Sequence, residues 1–256
     1  MIKAIFFDID GTLCSFKTHK VYASTIDALK KLQENNIKIF VATGRGKDGL
    51  DVLKDIQFDG YITLNGQYCY KDNEVIYSNT MYKEDLQILI DELKVNPFPC
   101  GFTTDKDKYF NFRNELVDEI HAITQNDDHP AKDCSNIINE KVYQIMAFID
   151  ENKEKELLKK MTHTTSGRWY PTFCDLSPLG GTKVKGIDHF LNYYDISIED
   201  TMAFGDGGND IAMLKHVNTS IAMGNASNEV KEVVNYVTKS VDEDGIVEAL
   251  KHYNLI

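Results

Sequence analysis

The chain has 256 residues, 42% hydrophobic and 27% charged, with a formal net charge of −12. That length supports one large domain or two smaller ones around a real core. The negative balance argues against binding nucleic acid or an anionic membrane through bulk charge, because both favour basic surfaces. A small anionic substrate stays open, since it responds to the local field. Five scattered cysteines, Cys14, Cys69, Cys100, Cys134 and Cys174, contain no C-x-x-C and read as reduced thiols of a cytoplasmic protein. The opening MIKAIFF is too short for a signal peptide, and no segment approaches the ~18 apolar residues of a membrane span.

In chain order, IKAIFF is an apolar run of strand length, as expected for a strand buried on both faces of a parallel sheet. Ile26, Leu29 and Leu32 then repeat at helical spacing in STIDALKKLQENN. IKIFVAT is a second buried strand ending at Thr43, a helix is expected around DGLDVLKDI, and GYITLN is a third strand. This alternation predicts an α/β fold with a Rossmann-like, doubly wound parallel sheet. QYCYKDNEVIYS differs: two short strands flank a polar turn at Lys71 to Glu74, which predicts a hairpin.

Between about Tyr82 and Gly181 the rhythm changes. KEDLQILIDELK, NELVDEIHAIT and NKEKELLKKM read as helices, CGFTTDKDKYFNF as a hairpin, and KVYQIMAFI and GRWYPTFCDLS as one strand each. From Lys183 the α/β alternation returns through VKGIDHFLNYY, TMAFGD, NDIAMLKHV, TSIAMG and NEVKEVV. The pattern therefore predicts a discontinuous core, 1–81 with 182–256, interrupted by an α+β cap over 82–181.

In open α/β sheets, ligands bind beyond the carboxyl ends of the strands. Four polar clusters follow such ends, Asp8 to Thr12, Thr43 to Arg45, Asn65–Gly66 and Gly205 to Asp210, and Lys185–Gly186 opens a helix. Two aspartates, Asp8 and Asp10, ending a buried strand repel each other unless something positive lies between them. DIDGT alone is also an ordinary strand-to-loop turn. A calcium hand is excluded, because Gly11 follows Asp10 directly and the twelfth position from Asp8 is His19. GDGGND either cradles a phosphate or merely turns, and it lacks the G-x-G-x-x-G of dinucleotide folds. Together Asp8, Asp10, Asp206 and Asp210 form a set of hard oxygen ligands without histidine, which suits Mg²⁺. Such a site with cations nearby suggests phosphoryl chemistry. Thr43 and Gly44 would cradle an oxygen. Arg45 adds a charge or pairs structurally. Lys185 would supply a point charge to the transferring group, with Lys183 as competitor. The seven histidines show no short ligand spacing for zinc. Cys14 reads as core packing, and Arg168, Trp169 and Tyr170 as cap packing, with ring stacking as the alternative.

D-x-D-G-T, a strand-end Thr, Lys-Gly and G-D-x-x-N-D in that order resemble the haloacid dehalogenase superfamily. The large α+β insert between the second and third motifs is similar to its Cof-type subgroup of sugar-phosphate phosphatases, as is the coda SVDEDGIVEALKHY. The resemblance implies Asp8 as nucleophile, forming an aspartyl phosphate, and Asp10 as general acid and then base, its backbone carbonyl also on the metal. It implies Asp8 and Asp206 as metal ligands and Lys185 as the catalytic cation. Asp210 would position metal-bound water or that lysine. Thr43 and Gly44 would hold a phosphate oxygen, Asn209 would orient phosphate or an outer water, and Asn65–Gly66 would line the substrate edge. The expected activity is Mg²⁺-dependent hydrolysis of small phosphorylated metabolites, sugar phosphates first and pyridoxal phosphate or another phosphomonoester behind. The cap would close over the site and supply specificity. A phosphomutase of the same fold is one alternative. A weakly catalytic phosphate-ligand sensor is another, against which the acid/base Asp10 argues.

Overall fold

A computed structural model describes residues 1–124 and 129–256, without the side chains of Thr124 and Trp169. In chain order the elements are β1 (Ala4–Phe7), α1 (Ala23–Glu34), β2 (Lys38–Ala42), β3 (Gly60–Thr63), β4 (Tyr68–Lys71), β5 (Glu74–Ser78), α2 (Lys83–Val95), β6 (Cys100–Thr104), β7 (Lys108–Phe110), α3 (Glu115–Thr124), β8 (Val142–Ala147), α4 (Glu151–Lys160), β9 (Thr164–Tyr170), β10 (Phe173–Pro178), α5 (Lys183–Tyr194), β11 (Thr201–Gly205), α6 (Ile211–His216), β12 (Thr219–Ala222), α7 (Asn228–Lys231), β13 (Tyr236–Val237) and α8 (Gly245–His252). They divide into two units, Met1–Ser78 with Thr182–Ile256, and Asn79–Gly181. Among the described residues, no helix is long and apolar enough to cross a membrane.

The first unit is Rossmann-like. Its sheet runs β13-β12-β11-β1-β2-β3-β4-β5. The pairings from β13 to β3 are parallel, and β4 and β5 add antiparallel strands at one edge. All four residues of β1 are fully buried, because both faces of the sheet are covered. Ile5 and Phe7 pack with Leu29 and Leu32 of α1 and with Ile246 and Leu250 of α8. Ala4 and Phe6, pointing the other way along the pleat, pack with Ile187 and Phe190 of α5 and with Met213 and Leu214 of α6. The Phe6–Phe40 and Phe7–Phe204 rings stack at centroid separations of 4.8 and 5.0 Å. Each such buried ring contributes roughly 1.5–3 kcal/mol to holding β1 in place. The chain leaves β1 toward β2 on one side and returns through β11 on the other, the strand-order reversal at which open α/β sheets bind ligands.

The second unit carries an antiparallel sheet, β7-β6-β8-β10-β9. One face, with Phe102, Ile145 and Leu176, packs under Leu86 and Leu89 of α2 and Leu157 of α4. Two acids are buried here, each with hydrogen-bond donors. Asp85 accepts from the His163 backbone N–H (3.0 Å) and the Thr164 hydroxyl (2.6 Å). Glu154 accepts from Ser166 Oγ at 2.5 Å and from Arg168 Nε at 2.7 Å. Arg168 also donates to the Ile149 and Pro171 carbonyls, so it is packing in this unit. The side chain of Trp169 lies outside the described residues.

Two predicted elements differ. The stretch around 48–56 is not an α-helix but two 3-10 turns, Lys47–Gly49 and Asp51–Leu53. Arg45 Nη1 takes the Gly49 carbonyl at 2.8 Å, an acceptor that a continuing helix would need, and glycine weakens the helix there anyway. GRWYPTFCDLS is not one strand but the turn and both arms of the β9–β10 hairpin. Pro171 supplies the break, having no N–H for the ladder.

Candidate active site

Because β1, β2, β3 and β11 are parallel, the residues just beyond their last positions share one edge of the sheet. Asp8 follows β1 and is 5% exposed. Its Oδ1 accepts from Lys183 Nζ at 2.6 Å, and the same Nζ donates to Asp210 Oδ1 at 2.6 Å. Asp210 Oδ2 accepts from the backbone N–H groups of Asp206 and Gly207, both at 3.0 Å. Asp210 therefore shapes the loop after β11 and fixes the lysine, and three donors occupy its carboxylate.

This corrects the choice of lysine. Lys183 is in the cluster and buried, whereas Lys185 is exposed. Thr182 caps α5 by accepting from the Lys185 backbone N–H at 3.2 Å, which makes Lys183 the first helical residue. At 100° per residue, Lys183, Gly186, Ile187 and Phe190 share the sheet-facing stripe and Lys185 points away. Gly186 lies so near the sheet that a Cβ would come 2.5 Å from Ile62. The signal was in the sequence: a lysine four and seven residues before Ile187 and Phe190 belongs to their buried face.

Asp206 sits beside the loop after β1. Its Oδ1 accepts from Thr12 Oγ1 at 3.2 Å. Gly11 has φ +81°, and a Cβ on it would fall 2.1 Å from Asp206 Oδ2. Only glycine allows both the conformation and that approach. The Asp10 carboxylate turns elsewhere. Arg45 grips it with two parallel hydrogen bonds, Nε to Oδ2 at 2.9 Å and Nη2 to Oδ1 at 2.6 Å. The cluster of carboxylates thus comprises Asp8, Asp206 and Asp210, not Asp10, whose side chain reaches Arg45 instead. Of the two readings of Arg45, structural pairing is the one found. Cys14 is buried in the core.

The ends of β2 and β3 are stitched together. Thr43 Oγ1 accepts from the Arg45 backbone N–H at 3.1 Å, the Asn65 N–H donates to the Thr43 carbonyl at 2.9 Å, and the Leu64 N–H to the Arg45 carbonyl at 2.9 Å. Leu64, Asn65 and Gly66 are all left-handed, with φ of 51°, 52° and 96°. For leucine that conformation stores strain, which clusters at functional sites. It brings the Asn65 amide to Gly44, where a Cβ would come 3.3 Å from Nδ2, and to Asn209, whose Nδ2 donates to Asn65 Oδ1 at 3.2 Å. Gly66 abuts the Thr182 carbonyl, at 2.1 Å from a would-be Cβ, so the Asn-Gly pair seats the helix start that carries Lys183. Among the described residues, no acceptor takes the Gly44 backbone N–H, which leaves a donor for an incoming oxyanion.

The electrostatics are unbalanced. Three carboxylates face one lysine, and their ligand oxygens lie within 4.8 Å of one another. Burial pushes the Asp8 carboxyl above its ordinary range against the pull of Lys183, and Asp210 pushes the same way. Asp206 is pushed up to about 6 by burial and by Asp210. Lys183 is held charged: burial works against its charge, but Asp8 and Asp210 outweigh that. Excess negative charge on hard oxygens, without sulfur or nitrogen donors, fits a hard divalent cation. Asp8 and Asp206 retain oxygen capacity to bind it.

A profile of haloacid dehalogenase-like hydrolases matches residues 5–250. YkrA of Bacillus subtilis (strain 168), whose name marks it as a candidate phosphatase, is 31% identical over 99% of this chain and 98% of its own length. Among solved structures, a sugar phosphatase of HAD subclass IIB is 41% identical, covers 99% of this chain and 100% of that one, and superposes with a TM-score of 0.86. A HAD-superfamily phosphatase from Bacteroides thetaiotaomicron is 36% identical, with 100% of this chain and 96% of that one covered and a TM-score of 0.91. With one profile running from the first strand into the closing helix and such relatives matching end to end, the chain belongs to the haloacid dehalogenase superfamily, in its Cof-type branch, and is a phosphatase.

Proposed function

We propose that this phosphatase is cytoplasmic and hydrolyses small phosphorylated metabolites, sugar phosphates first among them, with Mg²⁺ and through an aspartyl phosphate on Asp8. The observation that carries the reading is a buried carboxylate at the strand-order reversal with one oxygen fixed by Lys183 at 2.6 Å. Support for the substrate class comes from the 41%-identical sugar phosphatase. Asp8, Asp206 and the Asp10 backbone carbonyl would hold Mg²⁺, which when bound offsets the repulsion between these carboxylates and a phosphoryl group.

The chain's own residues supply the rest. Lys183 holds Asp8 Oδ1, leaving Oδ2 without a hydrogen-bond partner among the described residues. A carboxylate oxygen of Asp8 attacks phosphorus, the bond from phosphorus to the leaving oxygen breaks, and Asp10 gives that oxygen its proton. Arg45 donates only, so the proton of Asp10 in its acid role must sit on a lone pair that faces away from the guanidinium, toward the leaving oxygen. Asp10, now a carboxylate, takes a proton from water, which attacks phosphorus and breaks the Asp8–phosphorus bond, releasing orthophosphate. Thr43 Oγ1 and the Gly44 N–H are the donors for the phosphoryl oxygens. Asn209 extends that edge.

Phosphate release from a panel of sugar phosphates, pyridoxal phosphate and an aryl phosphate, with Mg²⁺ or chelator, tests the reading. Sugar phosphates should turn over, EDTA should stop them, and Mg²⁺ should restore activity better than Ca²⁺. Full activity in chelator removes the metal from the mechanism. Rapid-quench kinetics on Asp10→Asn should show a burst of phosphoenzyme on the aryl ester followed by slow turnover. The loss on sugar phosphates should be on the order of 10²–10⁴-fold. Equal loss on both substrates without a phosphoenzyme would reduce Asp10 to a structural residue.

A further inference from the structure

Asn225 lies in the turn after β12, outside every motif the sequence points to. Its Nδ2 donates to the Gly11 carbonyl at 2.9 Å and to Asp206 Oδ2 at 3.1 Å, and its Oδ1 accepts from the Val241 backbone N–H at 2.9 Å. The amide orientation is forced by chemistry: a backbone N–H on one side requires the oxygen, and a backbone carbonyl beside a carboxylate requires the nitrogen. We propose that Asn225 is a positioning residue for Asp206, one that sets the affinity of the acidic cluster for Mg²⁺. This rests on the reading that Asp206 is a ligand to that ion.

Asp206 is held from both sides. Thr12 donates to Oδ1 at 3.2 Å and Asn225 to Oδ2, so the carboxylate plane is fixed while each oxygen keeps capacity for a cation. Asp206 Oδ2 lies where a Cβ on Gly11 would fall, at 2.1 Å from it, and one amide grips both partners of that approach. A neutral donor suits the place, because it eases the crowding of negative charge without competing as a cation.

The turn that carries Asn225 is itself anchored. The Gly224 N–H donates to the Lys239 carbonyl at 2.9 Å, Lys231 Nζ donates to the Gly224 carbonyl at 2.7 Å, and a Cβ on Gly224 would come 2.6 Å from the Ser240 nitrogen. Met223 and Ala226 on either side are buried. The side chain of Asn225 is exposed, so replacing it opens no cavity. Outer partners of metal ligands typically contribute 10–100-fold in metal affinity.

The experiment is calorimetric titration of the metal-free protein with Mg²⁺, for the natural chain, Asn225→Ala and Asn225→Leu. The leucine keeps the bulk and removes every donor. Both variants should bind Mg²⁺ at least about 10-fold more weakly. Each should also need a correspondingly higher Mg²⁺ concentration for half-maximal phosphatase activity, with kcat largely recovered at saturation. A residue that merely holds the turn would lower the unfolding midpoint without metal and leave Mg²⁺ affinity unmoved. Affinity within twofold of the natural chain in both variants overturns the proposal. Absence of Mg²⁺ binding by the natural chain itself overturns instead the reading of Asp206 as a ligand, and this proposal with it.

Discussion

In the inserted unit, Asp85 and Glu154 are buried and every strong demand they make is met, by a backbone N–H, hydroxyls and Arg168. In the Rossmann-like unit, Asp8, Asp206 and Asp210 crowd together with Lys183 as the cation between two of them. Both units bury acids, but in the insert each has its own hydrogen-bond donors, whereas in the Rossmann-like unit three carboxylates crowd around one lysine. A matched buried acid fixes a fold. A surplus of them costs stability until a ligand supplies the missing charge. The topology explains the placement: the parallel sheet gathers several strand ends at one edge, whereas the antiparallel sheet scatters its turns to both.

The largest effect is expected from removing the shared cation. Lys183→Met should leave Asp8 and Asp210 buried and facing each other, destabilising the fold by roughly 3–5 kcal/mol. Turnover should fall by at least ~10²-fold. Lys185→Met should stay within about 0.5 kcal/mol and keep its turnover. Denaturant titrations and steady-state rates on both variants decide it; a loss of turnover in Lys185→Met as large as in Lys183→Met would overturn the assignment of the working cation to Lys183.

The insert should fail differently. Arg168→Met strands Glu154 and should cost about 2–4 kcal/mol, somewhat below the ~3–5 kcal/mol of a fully buried broken pair because both partners are slightly exposed. kcat on an aryl phosphate, measured well below the new unfolding midpoint, should be unchanged. A fall in kcat without a loss of stability would mean that this acid is not purely structural.

The smallest effect is in acid. Asp242 accepts from Lys17, Ser15 and Tyr22, and these hydrogen bonds, Lys17 first, hold its carboxyl down at about 2. A depressed carboxyl stabilises the fold above its unfolded value near ~4, and that contribution fades as pH falls toward about 2. The melting temperatures of the natural chain and Asp242→Asn should therefore differ by a constant gap from pH 8 to 5. The gap should close between pH 4 and 2. A gap that persists at pH 2 would trace the loss to shape rather than charge.

What the sequence displays well is what repeats. The buried runs at β1, β2 and β11 announce parallel strands, and the polar residues that end them announce the edge where Asp8, Thr43 and Asp206 meet. What it hides are choices settled by direction. Lys183 and Lys185 differ by two residues and by slightly more than a half-turn of helix, which only the Ile187–Phe190 stripe resolves. The failed helix near Asp51 depends on Arg45 capturing the Gly49 carbonyl, a contact between residues whose fate is set by Asp10. Asn225 follows a strand with no neighbouring acid or glycine-rich motif, and its role exists only because the chain's last turns return to it.

The middle position of β1 has a consequence for the order in which the protein is made. Its partner β2 leaves the ribosome soon afterwards, but β11 comes only after the whole insert. At ~5–20 residues per second, one edge of an Ala-Ile-Phe-Phe strand waits on the order of 10–40 s for its neighbour. An unpaired apolar edge is a template for intermolecular pairing. The insert is one unbroken stretch, with every strand of its own sheet inside it, and its chain can collapse during that interval. A nascent or truncated chain lacking Thr201–Gly205 carries Asp8 and Lys183 but neither Asp206 nor Asp210. Such a fragment should show no phosphatase activity and should aggregate more readily than the whole chain, because the first strand lacks its second neighbour.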